Sequence, residues 1–192
     1  MALTLFVRGE WGKHTPALAR LEKMEYSKSD RSEILFILAR IACHLEDSFA
    51  LTSNVGFTVF WQRDRGQKTF DIEHIFKEVF DTTGLPAAHG FKDAREYGAL
   101  RNLIGALILL PRSRNRSLQD KSYVEKLSAY ATENILGQTL SSSLYQSNPN
   151  VATYVAANPG IGLGSISDFT KASIDERARS YTKIAEEIWK CP

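Results

Sequence analysis

The sequence predicts a mainly helical α+β domain in which a small two-stranded hairpin, about residues 68–74 and 106–110, is wedged among helices from both ends of the chain. Three observations support this prediction. Apolar residues recur at helical spacing near the N-terminus, β-branched and aromatic residues without that period follow, and helical spacing returns in the last segment. With 192 residues, of which 43% are hydrophobic, the chain is long enough to bury a real core, and we treat residues 1–192 as one domain.

Residues 1–66 form the predicted helical N-terminal part. Thr15 followed by Pro16 is typical of a helix start, and this first helix is expected to run to about Met24. Asp30 and Glu33 have the spacing of a capping box and precede the apolar helix EILFILARIACHLE. These patterns predict that the second helix lies at the centre of a helical packing.

Residues 67–134 form the predicted core of the domain. Extended structure is expected over 68–73, a short helix over 93–102, and a buried strand over 106–111 that ends at its proline. Ser122 and Glu125 form a further capping box, which predicts a helix to about Asn134.

Residues 135–192 are predicted to contain loops and one long C-terminal helix. Ser, Asn and Gly are frequent up to about residue 165, which indicates loops around one short helix. Ser173 and Glu176 are then expected to cap a helix whose apolar residues recur at helical spacing.

Composition excludes several classes of protein. No run of 18 apolar residues is present and the first residues lack the features of a secretion signal, so we expect a cytoplasmic protein without a membrane partner. The two cysteines, Cys43 and Cys191, are too far apart in sequence to suggest a disulfide framework or a CxxC zinc site. The net charge of +2 does not by itself indicate a nucleic-acid partner.

Basic residues are nevertheless concentrated in one segment, RSRNRSLQDKSYVEK, at positions 112–126. A charged segment of this size is usually a solvated face unless it adjoins a reactive site. The candidates for contacts with DNA phosphates are Arg112, Arg114, Arg116, Lys121 and Lys126.

The stretch FDIEHIF places Glu73 directly before His74 between apolar residues. Adjacent strand residues point to opposite faces, so both can serve one site only where the strand ends or bends. The simpler alternative is a surface carboxylate beside a partly buried imidazole. A buried strand and then Asn115 among arginines follow later in the chain, and this order can bring a general base and a metal ligand to one phosphodiester.

DIEHI followed by IGALILLPRSRNRSLQDKSYVEK resembles the HNH, or ββα-metal, nuclease domain at the C-terminus of modification-dependent restriction enzymes of the GmrSD-like and SspE-like groups. The resemblance covers residues 70 to about 132 and, weakly, the last helix; residues 1–66 match nothing in it. It implies a ββα-metal core and a metal-dependent DNA endonuclease that acts in restriction or phage defence.

The same resemblance assigns roles to individual residues. His74 would be the general base, and Asn115 would supply a neutral oxygen to a divalent metal. Glu73 would be the carboxylate ligand, with Asp71 as the alternative. Hard oxygen ligands of this kind imply Mg²⁺ or Mn²⁺.

One position departs from the family pattern. Where the family has asparagine after the glycine of the second strand, this chain has Ala106, so the side chain that fixes the imidazole of His74 is expected to be missing. Asn102 is a conceivable substitute, but the register places it before the strand. The loss would impair catalysis. The alternative function is therefore a non-catalytic DNA-binding or interaction domain that keeps the nuclease fold.

The resemblance also implies partners. The substrate would be double-stranded DNA, and the complete enzyme would carry an N-terminal nucleotide-hydrolysing domain that senses modified DNA. No GxxxxGK[ST] motif is present here, so we interpret the chain as the effector part, excised from a larger protein. A helical protein-interaction domain without a nucleic-acid role is the third interpretation, and it leaves the ordered motif unexplained.

Overall fold

The computed structural model describes residues 20–27, 29–51, 56–61, 63–64, 67–80, 89–119 and 121–189. In chain order its elements are α1 (Arg31–Ser48), α2 (Gly56–Trp61), β1 (Arg63–Asp64), β2 (Gln67–Lys68), β3 (Phe70–His74), α3 (Ala94–Leu100), a 3-10 turn (Ile104–Ala106), β4 (Leu107–Pro111), α4 (Arg112–Leu118), α5 (Tyr123–Tyr130), α6 (Ile135–Gln138), α7 (Ser142–Ser147), α8 (Pro149–Ala157), a second 3-10 turn (Pro159–Ile161) and α9 (Lys171–Trp189). The mainly helical α+β prediction is confirmed for these residues.

The predicted hairpin is present as the antiparallel pair β3 and β4. Its register runs from Phe70 opposite Pro111 to His74 opposite Leu107. The apolar residues of β4 before its proline are completely buried, because the strand is covered on both faces. The strand begins one residue later than predicted, since Ala106 ends the preceding 3-10 turn.

Helix starts agree with the sequence patterns to different degrees. Ser122 and Glu125 form the predicted capping box at the start of α5. Helix α1 begins as expected, but the Asp30 side chain makes no capping bond to the helix, and its Oδ2 instead accepts from the Ser27 hydroxyl at 2.9 Å. The predicted helix from Thr15 lies mostly outside the described residues.

The interval after Asn134 is more helical than predicted. Three short helices and a 3-10 turn occupy it, where the sequence indicated loops around one short helix. The side chains of Asn134, Ser141 and Asn148 accept hydrogen bonds from backbone N–H groups at three helix starts. Polar residues that indicated loops are therefore helix caps. Helix α9 similarly begins at Lys171, two residues before the predicted cap, and Ser173 lies within it.

Helix α9 packs directly against the turn that leads into β4. A Cβ atom added to Gly105 would lie 2.0 Å from the carbonyl oxygen of Ile174 and 2.9 Å from the amide nitrogen of Ala178, so only glycine allows this approach. Tyr181 donates its hydroxyl to the carbonyl of Leu107 at 3.1 Å. The C-terminal helix thus supports the hairpin through contacts at the start of β4. In the part of the chain that is described, no helix is both long and apolar enough to cross a membrane.

Candidate active site

A cleft of ≈ 360 Å³ lies at the end of β3. The residues that line it come from the N-terminal segment, β3 and the residues after it, the end of α3, and α4 with the residue after it: Tyr26, Arg31, Asp71, Ile72, Glu73, His74, Phe76, Glu78, Arg101, Asn102, Asn115 and Gln119. His74 and Asn115, which are far apart in sequence, share this cleft as the motif predicts. Asp71 and Glu73 also line it, so four of the predicted site residues are brought together.

The adjacent Glu73 and His74 side chains, at the end of β3, have different environments. Glu73 is only 3% exposed and is bonded to residues of α5, whereas His74 is partly buried and hydrogen-bonds a residue that lines the cleft. The two adjacent side chains therefore have different partners.

Lys126 is the partner of Glu73. Its Nζ lies 2.7 Å from Glu73 Oε1 and also donates to the His74 carbonyl at 2.8 Å, while the Tyr130 hydroxyl donates to the same Oε1 at 3.0 Å. Burial raises the pKa of Glu73, and Lys126 and Tyr130 oppose that shift.

Lys126 itself is 1% exposed, so the prediction that it contacts DNA is wrong. A lysine in a polar segment gave no sign of burial, because its partner Glu73 lies far away in sequence. In the protein interior, Glu73 Oε1 accepts hydrogen bonds from both Lys126 and Tyr130. Glu73 also lines the cleft, but its Oε1 is engaged by Lys126 and Tyr130, whereas the Asp71 side chain is 22% exposed.

The imidazole of His74 is held by Asn102. His74 Nε2 lies 3.0 Å from Asn102 Oδ1, and Asn102 Nδ2 donates to the Gly98 carbonyl at 3.0 Å. Since the amide nitrogen donates to Gly98, the amide oxygen faces the imidazole and accepts a hydrogen bond from Nε2–H. His74 Nδ1 therefore carries the lone pair.

The environment of His74 favours the neutral imidazole. Burial, and secondarily the positive charge of Arg101, lowers the pKa of His74 from 6.5 to about 4. A neutral histidine with one fixed tautomer can accept a proton at physiological pH.

The prediction that His74 lacks a supporting side chain because of Ala106 is wrong. Ala106 is completely buried and does not line the cleft; its carbonyl accepts from the Ile75 amide at 2.9 Å. Asn102 does lie before β4, as the sequence indicated. It follows α3 in a turn, and its backbone carbonyl accepts a hydrogen bond from the Tyr26 amide at 2.7 Å. From this turn the Asn102 side chain reaches His74. A residue therefore does not need to lie in β4 to hold the imidazole.

Asp71 and Asn115 both line the cleft and carry side-chain oxygen atoms. Asn115 Nδ2 donates to the Ile72 carbonyl at 2.9 Å, and this bond leaves its Oδ1 without a hydrogen-bond partner among the described residues. Asp71 Oδ1 accepts from the Ile72 amide at 2.9 Å and from Arg31 at 2.5 Å. Both side chains are thus held in place by bonds to the hairpin backbone.

These oxygens fit a divalent cation of the Mg²⁺ type. Within the described ranges no group of three or more His, Cys, Asp or Glu side chains could hold a metal ion, so an all-protein cage is absent there. Mg²⁺ commonly takes one or two protein ligands and completes its shell with water and substrate phosphate. One carboxylate and one amide oxygen on the same cleft satisfy that requirement.

The family model described as GmrSD restriction endonucleases, C-terminal domain, matches residues 14–184. The chain belongs to this family. It is therefore a restriction-endonuclease-type domain, as the motif from DIEHI onward indicated. No curated protein and no solved structure matches the chain.

The match to the GmrSD C-terminal domain extends well beyond the motif. It includes most of the N-terminal part, for which the sequence alone gave no role. Tyr26 and Arg31 lie in that part and line the cleft, and sequence analysis did not identify them. An arginine at the start of an amphipathic helix gives no signal of a site, because its partner Asp71 is brought close only by the fold.

The remaining basic candidates lie on or just after α4, the helix that supplies Asn115. Arg114 and Arg116 are exposed, as is Lys121, whereas Arg112 is half-buried. Arg114 forms an ion pair with Glu133 at 2.7 Å. None of these four is among the residues that line the cleft, and their contacts with DNA remain a prediction.

Proposed function

We propose that this domain is a metal-dependent DNA endonuclease of the HNH type and the effector part of a restriction or phage-defence enzyme. The observation that carries the proposal is the cleft in which the oriented His74 faces the same space as Asp71 and Asn115. Two antiparallel strands followed directly by α4 have the strand–strand–helix order of HNH nucleases, which supports the assignment.

His74 acts as the general base. Its Nδ1 takes a proton from a water molecule, whose oxygen forms a bond to phosphorus while the bond from phosphorus to the 3′ oxygen breaks. The leaving oxygen takes a proton from solvent, so the products are a 5′-phosphate and a 3′-hydroxyl. The Nε2–H bond to Asn102 is retained and is strengthened when the ring becomes positively charged.

Asp71 and Asn115 are the proposed ligands of Mg²⁺ or Mn²⁺. When bound, the ion would neutralise negative charge on the scissile phosphate and the leaving oxygen. Glu73 is not proposed as a ligand, because its carboxylate is buried against Lys126. Its role is to hold the end of β3.

Double-stranded DNA is the proposed substrate. Arg112, Arg114, Arg116 and Lys121 would contact DNA phosphates, which makes binding salt-dependent and poor in sequence information. Selection of modified DNA would belong to the N-terminal nucleotide-hydrolysing domain of the complete enzyme, which we expect to act on DNA in the cytoplasm.

Plasmid nicking with Mg²⁺ or Mn²⁺ tests the proposal. His74→Ala should lower the rate by about 10²- to 10⁴-fold, because a general base contributes chiefly to the transition state, and should leave DNA binding nearly intact. Asn115→Ala should be partly rescued by a higher metal concentration, whereas His74→Ala should not.

The alternative is a non-catalytic DNA-binding domain. It predicts that the unmodified chain binds DNA without nicking it under any metal condition. Ala106→Asn should not increase nicking, because Asn102 already holds His74 and position 106 is sealed in the core. Strong activation by Ala106→Asn would show instead that the chain is an impaired nuclease.

A further inference from the structure

Arg31 is a positively charged residue that lines the cleft but lies outside the nuclease motif. It is the first residue of α1, and its guanidinium donates to Asp71 Oδ1 at 2.5 Å. The guanidinium lies 6.0 Å from the ring centroid of Tyr26, and the Tyr26 ring meets the His74 ring edge-on at 4.9 Å. Arg31, Asp71 and His74 are therefore parts of one connected surface.

Arg31 and a divalent cation would compete for the same carboxylate. Two positive groups on one Asp71 side chain repel each other, so a cation bound there weakens the hold of Asp71 on Arg31. The Arg31 side chain is 35% exposed and that of Asp71 is 22% exposed, so water can replace the lost contacts when the pair opens.

An arginine released from Asp71 would remain at the edge of the cleft, where the substrate presents its phosphate. A planar guanidinium can donate two parallel hydrogen bonds to phosphate oxygens. The same arrangement of donors matches carboxylate oxygens, so an arginine released from a carboxylate can bind a phosphate. The Tyr26 ring beneath it limits how far it can move.

We propose that Arg31 is a phosphate-binding residue of the active site, that Asp71 holds it in the metal-free protein, and that a divalent cation bound by Asp71 transfers it to the substrate phosphate. This inference rests on the proposed function. It gives the N-terminal part of the domain a direct role in the reaction and makes substrate binding respond to the metal.

The first arm of the test measures Mn²⁺ affinity by electron paramagnetic resonance of the free ion. Arg31→Gln removes the competing cation and should bind Mn²⁺ at least about fivefold more tightly than the unmodified protein, the lower end of typical coupling between two sites. Arg114→Gln is the matched control, because it removes the same charge from an ion pair outside the cleft, and it should change the affinity little. Asp71→Ala removes the carboxylate ligand and should lose the site.

The second arm measures DNA affinity by fluorescence anisotropy in the non-cleaving His74→Ala background, with EDTA and with Mg²⁺. Arg31→Gln should weaken DNA binding with Mg²⁺ and have little effect with EDTA, because Asp71 holds the arginine in the metal-free protein. Arg114→Gln should weaken binding by the same factor in both conditions, since its contact with phosphate does not depend on the metal.

The outcomes separate this inference from the proposed function. If the unmodified protein nicks DNA with Mg²⁺ but Arg31→Gln leaves Mn²⁺ affinity unchanged, or weakens DNA binding equally with and without metal, the inference is wrong and the nuclease proposal stands. If the unmodified protein neither binds Mn²⁺ nor nicks DNA, both are wrong. Arg31→Lys keeps the charge and should keep the Mn²⁺ affinity of the unmodified protein while losing part of the metal-dependent gain in DNA affinity.

Discussion

Two carboxylates of β3, two residues apart, have opposite surroundings. Asp71 meets Arg31 at the cleft, with 22% of the aspartate and 35% of the arginine side chain exposed. Glu73 meets Lys126 in the interior, with 4% and 1% exposed. Each carboxylate has one cationic partner at nearly the same distance, 2.5 Å and 2.7 Å. Burial, rather than the type of contact, distinguishes them.

Under the proposed function, the difference would let one strand serve both chemistry and structure. A pair that water can reach exchanges partners at small cost, which suits a ligand that must bind and release. A pair sealed in the interior cannot open without leaving an unpaired charge, which suits a fixed support. The residue type alone does not distinguish these roles, because both residues are acidic and both belong to the motif.

The largest expected effect is on the buried pair. Lys126→Ala leaves the Glu73 charge unpaired in the interior and should lower the free energy of unfolding by about 3–5 kcal/mol. Chemical denaturation followed by circular dichroism measures this. The double variant Glu73→Leu, Lys126→Met removes both charges and should recover most of the loss; a double variant as unstable as the single one would show that the ion pair is not the cause.

A smaller effect is expected at the support of His74. Asn102→Ala removes the acceptor of the Nε2 proton and should lower the nicking rate by about 10- to 100-fold, because the ring is no longer held in one tautomer. The pKa of His74, followed by NMR, should also fall, since the bond to Asn102 favours the charged ring. Asn102→Asp keeps an acceptor and adds a negative charge, so it should raise that pKa; an unchanged pKa in both variants would contradict the assigned bond.

The dependence on pH provides a third measurement. Because the pKa of His74 falls from 6.5 to about 4 on folding, the base is neutral above that range and the nicking rate should decline only as pH falls through about 4. The unfolded chain binds the proton first, so the associated stability is fully present above pH 6.5 and is lost as pH falls toward 4. A decline in rate centred near pH 6.5 would show that the imidazole is solvated.

The smallest expected effect is on the exposed pair. Arg31→Gln should lower the free energy of unfolding by about 1 kcal/mol or less, because a partly exposed ion pair contributes little to stability. The same denaturation experiment that measures Lys126→Ala measures it. A loss as large as that of Lys126→Ala would mean that Arg31 is a structural residue and that the two pairs are equivalent.

Much of the fold could be predicted from the sequence because its signals are local. The capping box at Ser122, the apolar period of α1 and the apolar run of β4 each depend on a few neighbouring residues. The helices after Asn134 were missed because Asn and Ser occur in caps as well as in loops, and sequence patterns alone do not separate the two.

The candidate site could be predicted only where the motif itself supplies the residues. His74, Asp71 and Asn115 were found in this way. Lys126 was assigned wrongly, Asn102 was set aside and Arg31 was missed. Each of these residues acquires its role from a partner that is distant in sequence. A side chain's partner across the fold is not a local property, so composition and spacing do not reveal it.

The close contact between Gly105 and α9 has a consequence for the synthesis of the protein. The turn that leads into β4 lies against backbone atoms of residues 174 and 178, and β4 accepts a bond from Tyr181. During translation the hairpin residues leave the ribosome well before this helix does, so the nascent chain has no surface against which to close the turn. A chain that ends before Lys171 would therefore carry every residue that lines the cleft and still lack the helix that packs against the turn before β4.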